Sequence, residues 1–396
     1  MTAPRLLLLL GQSPFDPTSG AAQSMRQIAE LLAQAGWSVH SLATSGCEGA
    51  VTTDHAALIE AHGATVVRTP APGDATGWLL ETRHAGVTHH IVLTDPARRH
   101  HWEQDVGAAY QAQLDRLIDD FRPQLVLTYG GDPGDARRRR QLQQAGARVV
   151  FALHNLAYVG VRPTACDAFL APSRFLSQRY ASAWGEAPAV LPAPLMPDVV
   201  APTHDPVFVT FINPEPAKGL ALLVQLAERL GVERPDIPLL VVEGRAPVAQ
   251  LVAAGQAAGF DLTRHANVMF APASAQVADI WAHTRVLIAP SVVEEAAGRA
   301  ALEAMANGAV ALVSDRGALP ETVADARCVL PADDADAWFD ALVRLVDDPM
   351  HFAGMSQAAR SQAARHLPDA LCARYASWFG GVLSADGSAA PAGAAG

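Results

Sequence analysis

The sequence predicts an α/β protein of two domains, each built on a doubly wound parallel sheet. Three observations carry that reading. Short apolar runs alternate with amphipathic stretches along nearly the whole chain, the βαβ rhythm of a parallel sheet covered by helices on both faces. A proline-dense stretch from Leu191 to Pro206 interrupts that rhythm near the middle. The 396 residues, 50 % of them apolar, are enough for two cores of ordinary size.

Taken in order, Leu6–Leu10 is the first strand. A helical pattern from about Gly20 to Ala35 follows, with Met25, Ile28, Leu31 and Leu32 at helix spacing and Gly36 as its stop. Trp37–Ala43 alternates as a strand, and Ala64–Val67, Gln124–Thr128, Arg148–Leu153 and Ala168–Ala171 read as further strands. Prolines 192, 194, 197, 202 and 206 suit neither a helix nor a central strand, so the first domain is 1–196. The second, 197–350, restarts the rhythm with Val207–Ile212, Leu239–Val242, Val268–Phe270, Val286–Ala289, Val310–Val313 and Cys328–Leu330. A last helical region, roughly Asp333 to Phe379, is broken at Pro349 and Pro368. The tail, 384–396, is Ala, Gly, Ser and Pro and is expected to be disordered.

Composition narrows the function classes. A net charge of −11 argues against nucleic acid as a partner. The halves differ: 1–200 holds 16 basic and 18 acidic side chains, 201–396 holds 13 and 22. Leu6–Leu10 falls far short of the ~20 apolar residues of a membrane helix. With Arg5 as its only basic flank and Gly11 ending it, the block is not expected to act as an export signal either. Cys47, Cys166, Cys328 and Cys372 are scattered, with no CxxC, as in a reducing compartment, so a cytoplasmic protein is expected. GxGxxG, the P-loop and HExxH are all absent, which removes support for hydride transfer, NTP hydrolysis and zinc chemistry. No cofactor or metal is called for.

Ligands of open parallel sheets bind beyond the carboxyl ends of the strands, so a site is expected in the cleft between the domains. Of the 29 basic residues 28 are arginine, and the single lysine is Lys218, in Asn213-Pro-Glu-Pro-Ala-Lys-Gly219 after the first strand of the second domain. A lone ammonium in an arginine-rich chain suggests a place a guanidinium cannot fill. The segment Ala289-Pro-Ser-Val-Val-Glu-Glu-Ala-Ala-Gly-Arg-Ala-Ala-Leu-Glu-Ala-Met-Ala-Asn-Gly308 reads as strand end, loop and helix, with Glu295 and Glu303 as an E-x7-E pair. The helix opens near Gly298, so its amides and positive dipole end offer an anion site between two acceptors. Spacing alone leaves open that these are two solvated glutamates.

This segment resembles the signature of the retaining nucleotide-sugar glycosyltransferases of family 4, whose fold is called GT-B. The family runs Pro-Ser, a short loop, Glu-x-Phe-Gly, Leu-Glu-Ala-Met-Ala-x-Gly, a strand and Gly-x-x-Pro-Glu. Here stand Pro290-Ser291, Glu295, Gly298, Leu302-Glu-Ala-Met-Ala306, Gly308 and Gly317-Ala-Leu-Pro-Glu321, with Ala297 at the usual Phe. The resemblance implies two Rossmann-like domains facing a cleft, with residues 351–383 crossing back to the first. It assigns Glu295 to donor-sugar hydroxyls and Glu303 to the nucleotide ribose, with Gly298 and Arg299 at the helix opening on the donor side. The family's Arg-x4-Lys-Gly segment, which neutralises the donor diphosphate, is matched at Lys218. Asn213 replaces the arginine, and Arg245 is a candidate substitute. Ser19 and Gly20 stand where the family has a Gly-Gly loop facing the donor, and His154 where a histidine reaches the donor sugar.

The implied activity is retaining transfer of a hexosyl group from a nucleoside-diphosphate sugar to a glycan, lipid-linked sugar or small molecule. It would be metal-independent and front-face, with Lys218, Glu295 and His154 as the catalytic set. Asn213, Ala297 and Ser19 keep open a non-catalytic nucleotide- or glycan-binding module, and an epimerase on the same fold is a third reading. Arg98–His101 and Arg137–Arg140 read as solvated faces, with peripheral contact to an anionic membrane surface as the alternative.

Overall fold

The computed structural model describes residues 2–49, 54–73, 77–274 and 277–384. The chain divides into two units, Met1–Pro194 with Pro368–Gly396, and Leu195–Leu367.

Among the described residues the first unit's sheet has nine strands: β1 (Arg5–Leu9), β2 (Ser38–Thr44), β3 (Val66–Pro70), β4 (Trp78–His84), β5 (Val87–Val92), β6 (Leu125–Thr128), β7 (Arg148–Ala152), β8 (Ala168–Ala171) and β9 (Ala189–Val190). They lie in the order β3-β4-β5-β2-β1-β6-β7-β8-β9. β1 is central and buried on both faces from Leu6 to Leu9, which is why those four positions are leucine. Leu6 and Leu8 enter one core with Met25, Ile28, Leu31 and Leu32 of the helix Gly20–Gln34. Leu7 and Leu9 enter the opposite core with Trp102, Tyr110 and Leu114.

At one edge the sheet departs from the parallel expectation. β3 pairs antiparallel with β4, and β4 with β5, before β5 joins β2 in parallel. Of these strands the apolar pattern marked only Ala64–Val67. β4 and β5 carry Glu81, Thr82, His89 and His90 on their inward and paired positions, so neither reads as an apolar run. Their turn, Ala85-Gly86, has positive φ at both residues (45° and 84°).

The second unit's sheet is wholly parallel: β10 (Phe208–Ile212), β11 (Leu239–Val242), β12 (Val268–Ala271), β13 (Thr284–Ala289), β14 (Val310–Ser314) and β15 (Val329–Leu330), in the order β12-β11-β10-β13-β14-β15. Strand order reverses between β10 and β13, which leaves the loops beyond those two strands side by side.

Pro349 and Pro368 each open a helix, Pro349–Ala364 and Pro368–Ser384. The first was expected to leave the second domain at residue 351. Instead it stays, because Met355, Ala359 and Ala363 are buried in the second core and Ser356 Oγ donates to Gly308 O at 2.6 Å. The return to the first unit begins at Pro368, where Leu371, Tyr375, Trp378, Phe379 and Val382 enter the core beside the helix Gly20–Gln34. The other boundary moves from 196 to 194, since Leu195 is a core residue of the second unit and its amide bonds His366 O at 2.8 Å. Beyond Ser384 the expected disordered tail lies outside the described residues.

The Arg137–Arg140 cluster is a solvated face only at Arg137 and Arg140. Arg138 and Arg139 are buried, at 2 % and 4 % exposure. Arg138 pairs with Glu103 at 2.6 Å and Asp135 at 3.2 Å and stacks over Trp102 and Tyr110. Arg139 donates to Thr164 O at 2.9 Å. Rings and carboxylates take up the Arg138 charge, and the Thr164 carbonyl and Phe151 ring that of Arg139. Arg98, by contrast, is exposed and paired with Asp105.

Candidate functional site

The loops at the reversal between β10 and β13 interlock. After β10 come Asn213, Pro214 and Glu215, a 3₁₀ turn at Pro216–Lys218, then Gly219 and the helix Leu220–Glu233. Gly219 has φ +90°, and a Cβ there would strike the carbonyl oxygen of Pro290 in the loop after β13. Val292 N donates to Ala217 O at 3.0 Å, closing the two loops together. This brings the Lys218 ammonium onto Glu295 Oε1, which also accepts Ser291 Oγ at 2.6 Å. The two charged side chains are 28 % and 18 % exposed, so the pair stays reachable from solvent.

The Gly317–Glu321 stretch buttresses the Glu295 loop. Ala318 N donates to Glu295 O at 2.8 Å, and Gly317, at φ +64°, leaves no room for a Cβ against the Glu295 backbone. Gly298 (φ +61°) would set a Cβ 2.8 Å from Leu319, while Thr322 Oγ1 donates to Ala297 O at 2.7 Å. Gly298 opens the helix Arg299–Ala306, and no side chain caps that end.

Asn213 has φ +65°, a conformation asparagine tolerates better than most residues. Its Oδ1 accepts Ala246 N at 2.9 Å, which fixes the amide oxygen on the loop after β11. Arg245, in that loop, is 43 % exposed and meets Glu215 at 3.2 Å, beside the Lys218 turn.

Arg299 opens the helix and Glu303 lies one turn further on, so the two side chains meet. Arg299 Nε stands 2.7 Å from Glu303 Oε1, and Trp281 Nε1 donates to Glu303 Oε2 at 3.2 Å. Burial pushes the Glu303 carboxyl pKa up, against the pull of the Arg299 charge and the Trp281 bond.

Ser19, Gly20 and His154 belong to the first unit. Ser19 is 1 % exposed and its hydroxyl is committed inside: it caps the helix at Ala22 N (3.4 Å), accepts Gln12 Nε2 (2.8 Å) and donates to Glu48 Oε1 (2.8 Å). Gly20 is exposed as the first helical residue. His154, half-buried past the end of β7, meets Tyr129 edge-on at 5.1 Å and lines a small cavity with Ile28, Leu170 and Tyr375.

Lys218 and Glu295 are thus in contact, Arg299 and Glu303 are paired, and Asn213 and Arg245 flank the Lys218 turn. Sequence reasoning missed Trp281 and the Ser291 contact; Ser291 stood in the Pro-Ser motif, whereas nothing local marked Trp281. Among the described residues no group of three His, Cys, Asp or Glu could hold a metal ion, and no helix is long and apolar enough to cross a membrane.

The family described as "Glycosyl transferases group 1" matches residues 204–348, a stretch holding Asn213, Lys218, Arg245, Glu295, Gly298, Arg299 and Glu303. Solved structures match over nearly the whole chain. A sucrose-phosphate synthase from Thermosynechococcus elongatus superposes with a TM-score of 0.68 at 17 % identity, covering 95 % of this chain and 98 % of that one. Anabaena HepE in complex with UDP-glucose gives 0.67 at 15 % identity, covering 95 % and 99 %. The fold is GT-B. Within the GT-B frame the matched family stretch lies in the second unit. A curated relative, the phosphatidyl-myo-inositol mannosyltransferase of Mycolicibacterium smegmatis, is 32 % identical over 154 residues, 38 % of this chain. The chain spans 39 % of that relative's length.

Proposed function

We propose that this protein is a retaining glycosyltransferase that moves a hexosyl group from a nucleoside-diphosphate sugar to a hydroxyl of a glycan, lipid or small-molecule acceptor, without a metal. The observation that carries the reading is the contact of Lys218 with Glu295, beside the uncapped helix end at Gly298. A diphosphate is a more highly charged partner for the ammonium than one carboxylate. Binding would draw Lys218 onto phosphate oxygen and release Glu295 to accept hydrogen bonds from donor-sugar hydroxyls.

As the bond from the anomeric carbon to the diphosphate oxygen breaks, its electron pair stays on the diphosphate. Lys218, Arg245 and the first-turn amides stabilise that charge. The acceptor oxygen bonds the anomeric carbon on the same face, and its proton passes to the departing phosphate oxygen. Glu303 takes the ribose, and His154 and Gly20 are assigned to the donor side by the family resemblance. The matched family, the mannosyltransferase relative and the UDP-glucose complex of HepE support this reading.

Lys218→Ala should lower turnover by roughly 100-fold or more; unchanged rates would sink the assignment. A thermal-shift panel of UDP, GDP, ADP, dTDP and CMP identifies the nucleotide, since ligand at 100 times its Kd stabilises by about 2.7 kcal/mol. The Asn213 amide oxygen, already bound to Ala246 N, favours a second reading, a binding module. Tight nucleotide binding without turnover of any donor would select it.

A further inference from the structure

Glu303 is held in an unusual way for a group meant to bind a ligand. Its side chain is 7 % exposed and each carboxylate oxygen already has one partner: Arg299 on Oε1 and the indole N–H of Trp281 on Oε2. Trp281 is 1 % exposed in the second core, on the helix Val277–His283, so its ring cannot turn away. A carboxylate has about four acceptor positions, so one on each oxygen remains. Two neighbouring hydroxyl donors, a vicinal diol, fit that remainder. The carboxylate accepts from both only while ionised, and the Arg299 charge works against the burial that opposes ionisation.

We infer that Trp281, together with Arg299, locks Glu303 in the orientation that reads the 2′ and 3′ hydroxyls of a ribose, so that Trp281 is a positioning residue for selecting ribonucleoside over 2′-deoxyribonucleoside diphosphates. The inference rests on the nucleotide-sugar reading of this site. A 2′-deoxy ligand leaves one buried oxygen position of Glu303 unfilled, and that penalty is the source of the selection. Without the indole N–H, Oε2 loses its fixed partner and the carboxylate can rotate, so the two sugars become alike.

The test is binding calorimetry of UDP, GDP, ADP, their 2′-deoxy forms and inorganic pyrophosphate to wild type, Trp281→Phe and Glu303→Gln. Wild type should favour one ribonucleotide over its deoxy form by at least about tenfold. Both variants should bring the pair to within about threefold, Trp281→Phe with pyrophosphate affinity unchanged. A Trp281 that only packs would shift all affinities together and leave the ratio intact. Equal affinities in wild type, or a Trp281→Phe protein that keeps the ratio, would overturn the inference. A wild type without the ribose preference overturns the inference even where that variant fails to fold. Pyrophosphate that binds through Lys218 without any ribose preference removes this inference and leaves the Lys218 assignment standing. A wild type that binds neither nucleotide nor pyrophosphate removes both.

Discussion

Gly219 sits where two chain segments touch: its φ of +90° excludes most side chains, and the Pro290 carbonyl fills the place a Cβ would take. The Lys218–Glu295 contact depends on that closeness, because the residues are 77 apart in sequence and meet only where the β10 and β13 loops abut. Gly219→Ala should therefore cost roughly 1–3 kcal/mol in backbone strain and push the Lys218 turn off the Glu295 loop. The expected result is a lower unfolding midpoint together with weakened nucleotide affinity, read in the same thermal-shift titration. A variant that loses stability but binds nucleotide as before would separate the glycine from the site.

The antiparallel edge β3-β4-β5 is the element that local patterning hid. Its turn places Ala85 at φ +45°, a region that costs a β-carbon-bearing residue energy, and Asn is the favoured residue ahead of Gly in such a turn. Ala85→Asn should stabilise the protein by up to about 1 kcal/mol, visible as a raised midpoint in chemical denaturation. A fall in stability would show that the Ala85 side chain makes a contact the turn geometry does not reveal. The helix Pro349–Ala364 teaches the same lesson from the other side. Its short, small-residue apolar stripe would suit either core, and only Met355, Ala359 and Ala363 packing on the second core settles its membership.

At the scale of the whole molecule, the first unit is closed by a segment from the far end of the chain. Leu371, Tyr375, Trp378, Phe379 and Val382 are all buried in its core. At about 1.5–3 kcal/mol for each buried side chain, their loss rivals the roughly 5–15 kcal/mol that holds a whole domain together. Deleting residues 368–396 should leave the first unit open to limited proteolysis while 195–367 stays resistant; a resistant first unit would contradict the assignment. The same unit carries a histidine cluster. Burial lowers His40 and His55 from 6.5 to about 4, and a neighbouring His90 adds to the effect at His40. His89 and His90 are lowered as well, although Glu81 pulls His90 the other way. The unfolded chain takes up these protons below pH 6.5 whereas the folded one resists until about 4, so stability is full above 6.5 and drains as pH falls towards 4. Unfolding midpoints at pH 7.5, 6 and 5 should decline in that order, and a flat series would show the histidines to be accessible.

Much of this was legible in the chain alone, for a physical reason. Central parallel strands are buried on both faces, so β1, β6, β7, β10, β11, β13 and β14 appear as short apolar runs, and the glycines at 219, 298 and 317 mark turns that tolerate no Cβ. The lone lysine and the E-x7-E pair pointed to their loops because charged residues beside strand ends have few structural uses. Partnership was another matter. Nothing within a few residues says that Lys218 meets Glu295, that Trp281 donates to Glu303, that Ser19 is spent on Gln12 and Glu48, or that Arg138 is buried between rings. Local periodicity is set by neighbours a few residues away, and it determined most of the elements and their kind, β4 and β5 excepted. Which side chains share a carboxylate depends on strand order and on which core each helix finds, and these the tertiary structure alone decided.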